Sequence, residues 1–186
     1  MSLDDVRSRR AERARRPIPP LDAAALERLA LRYVERFSTT RAKLTDYLRR
    51  KIRERGWQGQ AADPGAIAAH LVDLGYVDDR AFGEARARAM GRRGLGKRRI
   101  DGALRHAGID EDDAEALAPA IADQAVAAAL TFARRKRIGP FAETSADRPL
   151  REKQLGAMVR AGHDFTLARR IVAMAPGEDV AALEEA

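Results

Sequence analysis

The chain contains no cysteine, which excludes disulfides, thiolate metal sites and thiol catalysis. That absence fits a reducing compartment. Histidine is scarce: His70, His106 and His163 lie far apart and match no metal-ligand spacing. Aromatic residues make up only 5%. No apolar run approaches the roughly 20 residues needed to span a bilayer, and the basic N-terminus lacks the apolar segment of a signal peptide. No stretch shows the alternation or β-branched enrichment of a strand, and no serine sits in a nucleophile-elbow sequence. The acidic run Asp110-Glu111-Asp112-Asp113 lacks the calcium-loop pattern; it reads as negative charge at a helix start, where the macrodipole favours it. These absences fit a cytosolic protein, and they predict that it is not an enzyme and holds no cofactor and no metal.

What is abundant is charge. Asp, Glu, Lys and Arg make up 34% of the 186 residues, and 35 basic against 28 acidic side chains give +7 and a pI near 10.3. Such a balance favours a polyanion or an acidic protein as partner; a solvated basic surface without a partner is the bland alternative. The length suits one ordinary domain or a small array of repeats.

Helical periodicity dominates. From Leu71 to Asp110 the chain reads as a helix stop at Gly75, an apolar Tyr76-Val77, an N-cap at Asp78, and an amphipathic helix whose buried face is predicted as Phe82, Ala85, Ala89 and Met90. A basic glycine loop, Gly91 to Gly96, follows, and a second helix runs from Lys97 to Ala107 with Ile100, Ala103 and Leu104 inward. Upstream, Asp22 caps a helix burying Leu26, Leu29, Ala30, Tyr33, Val34 and Phe37. Ser38-Thr39-Thr40 opens the next, with Leu44, Tyr47, Leu48 and Ile52 inward. Asp63-Pro64 opens a third, with Ile67, His70, Leu71 and Leu74; His70 is read as a core or boundary residue. Downstream, Asp110 caps a helix with Ala114, Leu117 and Ile121, and Pro119 implies a break. Val126, Leu130, Phe132 and Ala133 mark another helix, closed by Arg134-Arg135-Lys136-Arg137. An irregular stretch spans 138–148, and Pro149 suits the first turn of a helix carrying Leu150, Leu155, Met158 and Val159. Asp164 caps the last, with Phe165, Leu167, Ala168, Ile171 and Val172, and the acidic tail is expected to fray.

Three glycines, Gly56, Gly108 and Gly162, end the middle helices at spacings of 52 and 54, each four residues after Ile52, Leu104 or Met158. The fold class is therefore all-α: three tandem three-helix repeats, expected as an elongated, curved array. The divisions are a basic arm at 1–20, repeats at 21–77, 78–119 and 120–175, and an acidic tail at 176–186. Tyr76, Phe82 and Leu104 are expected to be buried at the junction of the first two repeats.

Gly94-Leu95-Gly96-Lys97 invites comparison with a phosphate loop, but no strand precedes it and Arg98 stands where Ser or Thr should be. Two readings stay open: backbone N–H groups that hold a phosphate with Lys97, Arg98 and Arg99, or a tight turn that needs two glycines for geometry alone. Basic residues cluster at Arg86, Arg92, Arg93, Lys97, Arg98 and Arg99 and again at Arg134, Arg135, Lys136 and Arg137. Each cluster follows an apolar first helix of a repeat, so both are expected on one partner-binding face. Arg41, Arg49, Arg50, Lys51, Arg53 and Arg55 add further charge. Aromatic residues do not interleave with these runs, which argues against a base-stacking single-strand binder.

Leu74-Gly-Tyr-Val-Asp-Asp-Arg-Ala-Phe-Gly-Glu-Ala, then Arg93-Gly-Leu-Gly-Lys-Arg-Arg-Ile and Leu104 to Ile109, resemble the signature of RecX proteins. Arg32 to Trp57 and Lys153 to Val172 are similar to the outer repeats of that family, with His163 and Gly156 as departures. The resemblance implies a small cytoplasmic, monomeric regulator of DNA repair and recombination. Its partner would be the RecA recombinase filament, whose growth, ATP hydrolysis and strand exchange it inhibits. Single- or double-stranded DNA would meet the basic face, and no membrane is involved. Two other classes remain: a helix-turn-helix or helix-hairpin-helix DNA-binding regulator acting without RecA, and a purely structural helical adaptor.

Overall fold

A computed structural model of the chain describes residues 19–184. The expected basic arm lies outside the described residues apart from Pro19 and Pro20. The described residues form ten α-helices and one 3₁₀ turn, with no strand among them; Leu21 and Trp57 make a single parallel bridge. The helices are α1 (Ala23–Val34), α2 (Arg41–Arg55), α3 (Pro64–Asp73), α4 (Asp79–Arg92), α5 (Lys97–Ala107), α6 (Glu111–Asp123), α7 (Ala125–Lys136), α8 (Arg148–Arg160), α9 (Phe165–Ala173) and the short α10 (Ala181–Glu184); the 3₁₀ turn is Gly139–Phe141. The first nine fall into three successive sets of three. Among the described residues no single helix is long and apolar enough to cross a membrane.

Aspartate starts most of these helices. Backbone N–H groups of Ala25, Ala66, Ala81 and Asp113 donate to the carboxylates of Asp22, Asp63, Asp78 and Asp110 at 2.7–3.0 Å, and Asp164 accepts from both Thr166 and Leu167. Each carboxylate satisfies a donor that the first turn leaves without a partner. Asp147 does the same for Leu150, so α8 begins just after it. Glycine closes several of the helices. Gly75, Gly94, Gly108 and Gly162 all have positive φ, and in each case the residue after the glycine donates back five residues, as Tyr76 to Leu71 and His163 to Met158. That closure places its glycine in the left-handed region. Arg137 takes the same position after α7, with φ +53 and Ile138 donating to Ala133.

The chain divides into two compact units. One comprises the described residues through Phe37 together with Leu44–Tyr76; the other comprises Ser38–Lys43 and Val77 onward. The core of the first is built from Leu21, Leu26, Ala30, Leu44, Leu48, Ala68 and Leu71. The second has two clusters. One gathers Ala87, Ile100, Leu104, Ala107, Ile109, Leu117 and Ile121. The other gathers Ala129, Leu130, Ala133, Ile138, Met158, Ala168, Ile171, Val172 and Leu183. Each fully buried Leu or Ile contributes about 1.5–3 kcal/mol.

Several expectations are corrected. The buried stripe of α4 is Gly83, Ala87 and Gly91, whereas Phe82, Ala89 and Met90 are half-buried and Ala85 is exposed. The stripe is small because α6 lies against it: a Cβ on Gly83 would sit 2.6 Å from Leu117 Cδ1. Tyr76 is 53% exposed rather than buried, and Phe37, Leu74, Leu150 and Phe165 are exposed too. His70 is exposed instead of lying in the core. Pro119 does not break its helix: α6 runs through it to Asp123, and the bend comes at Gln124, which ends α6 and starts α7. Proline costs one hydrogen bond to the carbonyl four residues back, and at an exposed position water replaces it. The stretch after α7 is not wholly irregular, since Ile138, Gly139 and Pro140 are buried. The tail does not simply fray, because Leu183 of α10 is 4% exposed within the last core cluster.

Candidate functional site

The glycine loop between α4 and α5 is a joint. Gly94 closes α4 in the left-handed region at φ +76, and any Cβ there would meet the backbone of Phe132 at 2.8 Å. Gly96 caps α5, lies flat against the Gly162 peptide and leaves no room for a Cβ. Gly162 in turn, at φ +96, would place a Cβ 2.6 Å from the amide of Arg99. Hydrogen bonds sew the two turns together: Gly96 N–H donates to Ala161 O at 3.0 Å and Arg98 N–H to Gly162 O at 3.1 Å. The Gly94, Leu95, Gly96 and Arg98 amides are therefore already bonded, which favours the tight-turn reading of Gly94 to Lys97.

His163 completes the joint. It is 3% exposed, its Nε2 lies 3.1 Å from Gly94 O, and its ring packs against Phe132 with centroids 5.4 Å apart. A carbonyl only accepts, so Nε2 carries the proton. Burial pushes the His163 imidazole below its ordinary range, and the Gly94 carbonyl opposes this by a smaller amount. His163, a departure from the family resemblance, thus places a flat ring beside Phe132 and adds one hydrogen bond to the joint.

One hydrogen bond joins the two cationic clusters within the second unit. Arg135 Nη1 donates to Arg93 O at 2.5 Å, tying the end of α7 to the end of α4. All ten residues of the expected face, Arg86, Arg92, Arg93, Lys97, Arg98, Arg99, Arg134, Arg135, Lys136 and Arg137, are exposed. They are not equally available. Lys97 pairs with Asp101 at 2.7 Å, Arg137 pairs with Glu143 at 2.7 Å, and Arg134 lies over the Phe141 ring at 4.6 Å. The side chains of Arg86, Arg92, Arg93, Arg98, Arg99 and Lys136 have no carboxylate partner among the described residues. An arrangement of this kind can hold phosphates or carboxylates by charge-assisted hydrogen bonds. Among the described residues no group of His, Asp and Glu is placed to hold a metal ion.

Three features escaped the sequence. Under the joint, a cavity of about 300 Å³ opens between α4, α5 and α6, lined by Ala87, Gly91, Leu95, Ile100 and Ile121. In the first unit, the exposed Leu31, Leu74 and Tyr76 flank an apolar groove of about 530 Å³. Tyr33 and Tyr47 also stack with centroids 4.1 Å apart beside Phe37, among Arg36, Arg50 and Lys51. Aromatic and basic side chains therefore do interleave, in space. The residues come from α1, its C-terminal turn and α2, so no linear run displays the pattern.

Fold and edge together define an all-helical repeat protein with a glycine-tight joint and an exposed arginine-rich margin. Residues 78–117 match the family description "RecX, second three-helix domain". The chain is 31% identical to the regulatory protein RecX of Myxococcus xanthus over 90% of its own length and 93% of that protein. It is 34% identical to regulatory protein RecX of Thermobifida fusca, covering 83% of this chain and 84% of that one. The crystal structure of RecX from Lactobacillus salivarius superposes with a TM-score of 0.59 at 20% identity, over 80% of this chain and 93% of that one, and shares the fold. The chain belongs to the RecX family of regulatory proteins.

Proposed function

We propose that this protein acts as a monomeric, non-enzymatic cytoplasmic regulator, without cofactor or metal, that binds the RecA nucleoprotein filament and inhibits its growth, ATP hydrolysis and strand exchange. Family membership supports the regulatory role. The observation that supports the binding mode is the Arg135–Arg93 bond, which ties the two cationic clusters together, beside Arg92, Arg98, Arg99 and Lys136, which are exposed and have no carboxylate partner among the described residues. A nucleoprotein filament offers phosphate and protein carboxylates together, and this edge is complementary to both. A DNA-binding regulator of helix-hairpin-helix type, acting alone, is less well supported, because the Gly96 and Arg98 amides face Ala161 and Gly162 rather than solvent. The test is a RecA ATPase and filament assay with this protein titrated in. Inhibition at substoichiometric or stoichiometric protein is expected. Unchanged ATPase and filament length at saturating protein, with wild-type folding, refutes the proposal.

A further inference from the structure

We propose that the first unit carries a nucleic-acid site of its own: an aromatic platform at the end of α1 on which an unpaired base of single-stranded nucleic acid stacks. Tyr33 and Tyr47 stack at 4.1 Å with 22° between their planes, and both are half-buried. They form the floor. Phe37 leans against Tyr33 at 5.2 Å and is 52% exposed, although its position in the apolar pattern calls for a core residue. It sits one turn past α1, where its N–H donates to Tyr33 O at 3.0 Å, and its ring is tilted 46° to that of Tyr33.

Cations frame the rings. Arg36 lies 5.7 Å from the Phe37 centroid, and Arg50 and Lys51 lie 5.6 and 5.8 Å from that of Tyr47. Glu54 engages Lys51 at 2.6 Å and Arg50 at 3.6 Å, while Arg36 has no carboxylate partner among the described residues. The stretch of α2 within this unit adds Arg49, Arg53 and Arg55, so its five basic residues outnumber Asp46 and Glu54. A purely structural cluster would turn Phe37 inward and has no need of cations around it. A ligand that pairs a flat π-face with negative charge beside it satisfies both features. Single-stranded DNA or RNA is that ligand. A duplex is not, because its bases already stack on one another and expose only their edges.

The proposal does not depend on RecA, so it can be tested apart from the cationic edge. The probe is a fluorescein-labelled oligothymidylate, with a duplex of equal length as control, read by anisotropy on the full chain without recombinase. Phe37→Ala is expected to weaken single-strand binding about tenfold, the scale of one lost stacking contact, and to leave duplex binding unchanged. Phe37→Trp is expected to retain binding, and its new indole emission should be quenched by the oligonucleotide beyond the change seen for Trp57 in the wild type. A folded Phe37→Ala variant with wild-type affinity for the single strand overturns the proposal. So does an unquenched Phe37→Trp, which decides the matter even if the alanine variant fails to fold. If Phe37→Ala lowers affinity for RecA but not for the oligonucleotide, the patch is a protein-docking surface and the proposal is wrong.

Discussion

Gly162 and His163 show how adjacent residues do different work at one joint. Gly162 needs both its left-handed φ of +96 and its missing Cβ, since the Arg99 amide would lie 2.6 Å away. Gly75 needs only the first: φ is +76, with nothing within 4 Å of a Cβ. Gly75→Ala should therefore cost about 1 kcal/mol, the left-handed penalty alone. Gly162→Ala should cost roughly 2–4 kcal/mol, because an overpacking term of about 1–3 kcal/mol adds to it. Equal losses in urea unfolding of the two variants would mean that the joint is loose. His163 gives the joint a pH dependence. Its folded pKa is depressed below 6.5 by burial, so between that folded value and 6.5 the unfolded chain binds more protons. Stability should be fully present above pH 6.5 and fall as the pH drops through the folded pKa. Thermal midpoints measured across this window should slope for the wild type, and the slope should flatten in His163→Phe, which keeps a ring beside Phe132 but does not titrate.

At the scale of elements, much was legible in the sequence and the exceptions have a common cause. Asp22, Asp63, Asp78, Asp110 and Asp164 cap helices as their positions indicated, and Gly56, Gly108 and Gly162 all adopt positive φ. These are local effects of one side chain on its own turn, and local sequence encodes them. The buried face of α4 was not legible. Apolar size pointed to Phe82 and Met90, but helix-on-helix approach selected Gly83, Ala87 and Gly91. Hydrophobic pattern reports what can be buried; only the neighbouring helix decides how close it comes. This ranks two substitutions. Leu104 is 1% exposed, so Leu104→Ala should cost about 2–5 kcal/mol. Phe82 is only half-buried, with Lys43 5.5 Å from its ring, so Phe82→Ala should cost about 2 kcal/mol, below the roughly 3–5 kcal/mol of a fully buried Phe. A larger loss for Phe82→Ala than for Leu104→Ala, by chemical denaturation, would contradict this ranking.

For the whole molecule, the two basic clusters and their expected common face were read from the sequence, but the bond between them was not. Arg93 and Arg135 stand 42 positions apart, and the close Gly94–Phe132 and Gly96–Gly162 contacts accompany the bond that joins them. That geometry also separates charges available to a partner from charges already engaged. Lys97 and Arg137 hold carboxylates, the Arg135 guanidinium holds a carbonyl, and the Arg99 stem packs beside Gly162. The side chains of Arg92, Arg98 and Lys136 are exposed and have no such ties among the described residues, so a combined Arg92→Glu, Arg98→Glu, Lys136→Glu variant tests the edge while keeping the backbone bond of Arg98 to Gly162. Exposed substitutions of this kind shift stability by about 0.5 kcal/mol or less each, so the variant should melt near the wild type. It should lose inhibition of the RecA ATPase. The salt response then separates two partners. If the three side chains contact single-strand phosphates, the slope of log affinity against log salt should flatten by roughly 2, at about 0.7 per contact. If they contact protein carboxylates, affinity falls with little change of slope, since short-range pairs are screened only weakly. A folded variant that inhibits RecA at wild-type concentrations would show that this edge is solvated surface, and that recognition lies elsewhere on the chain.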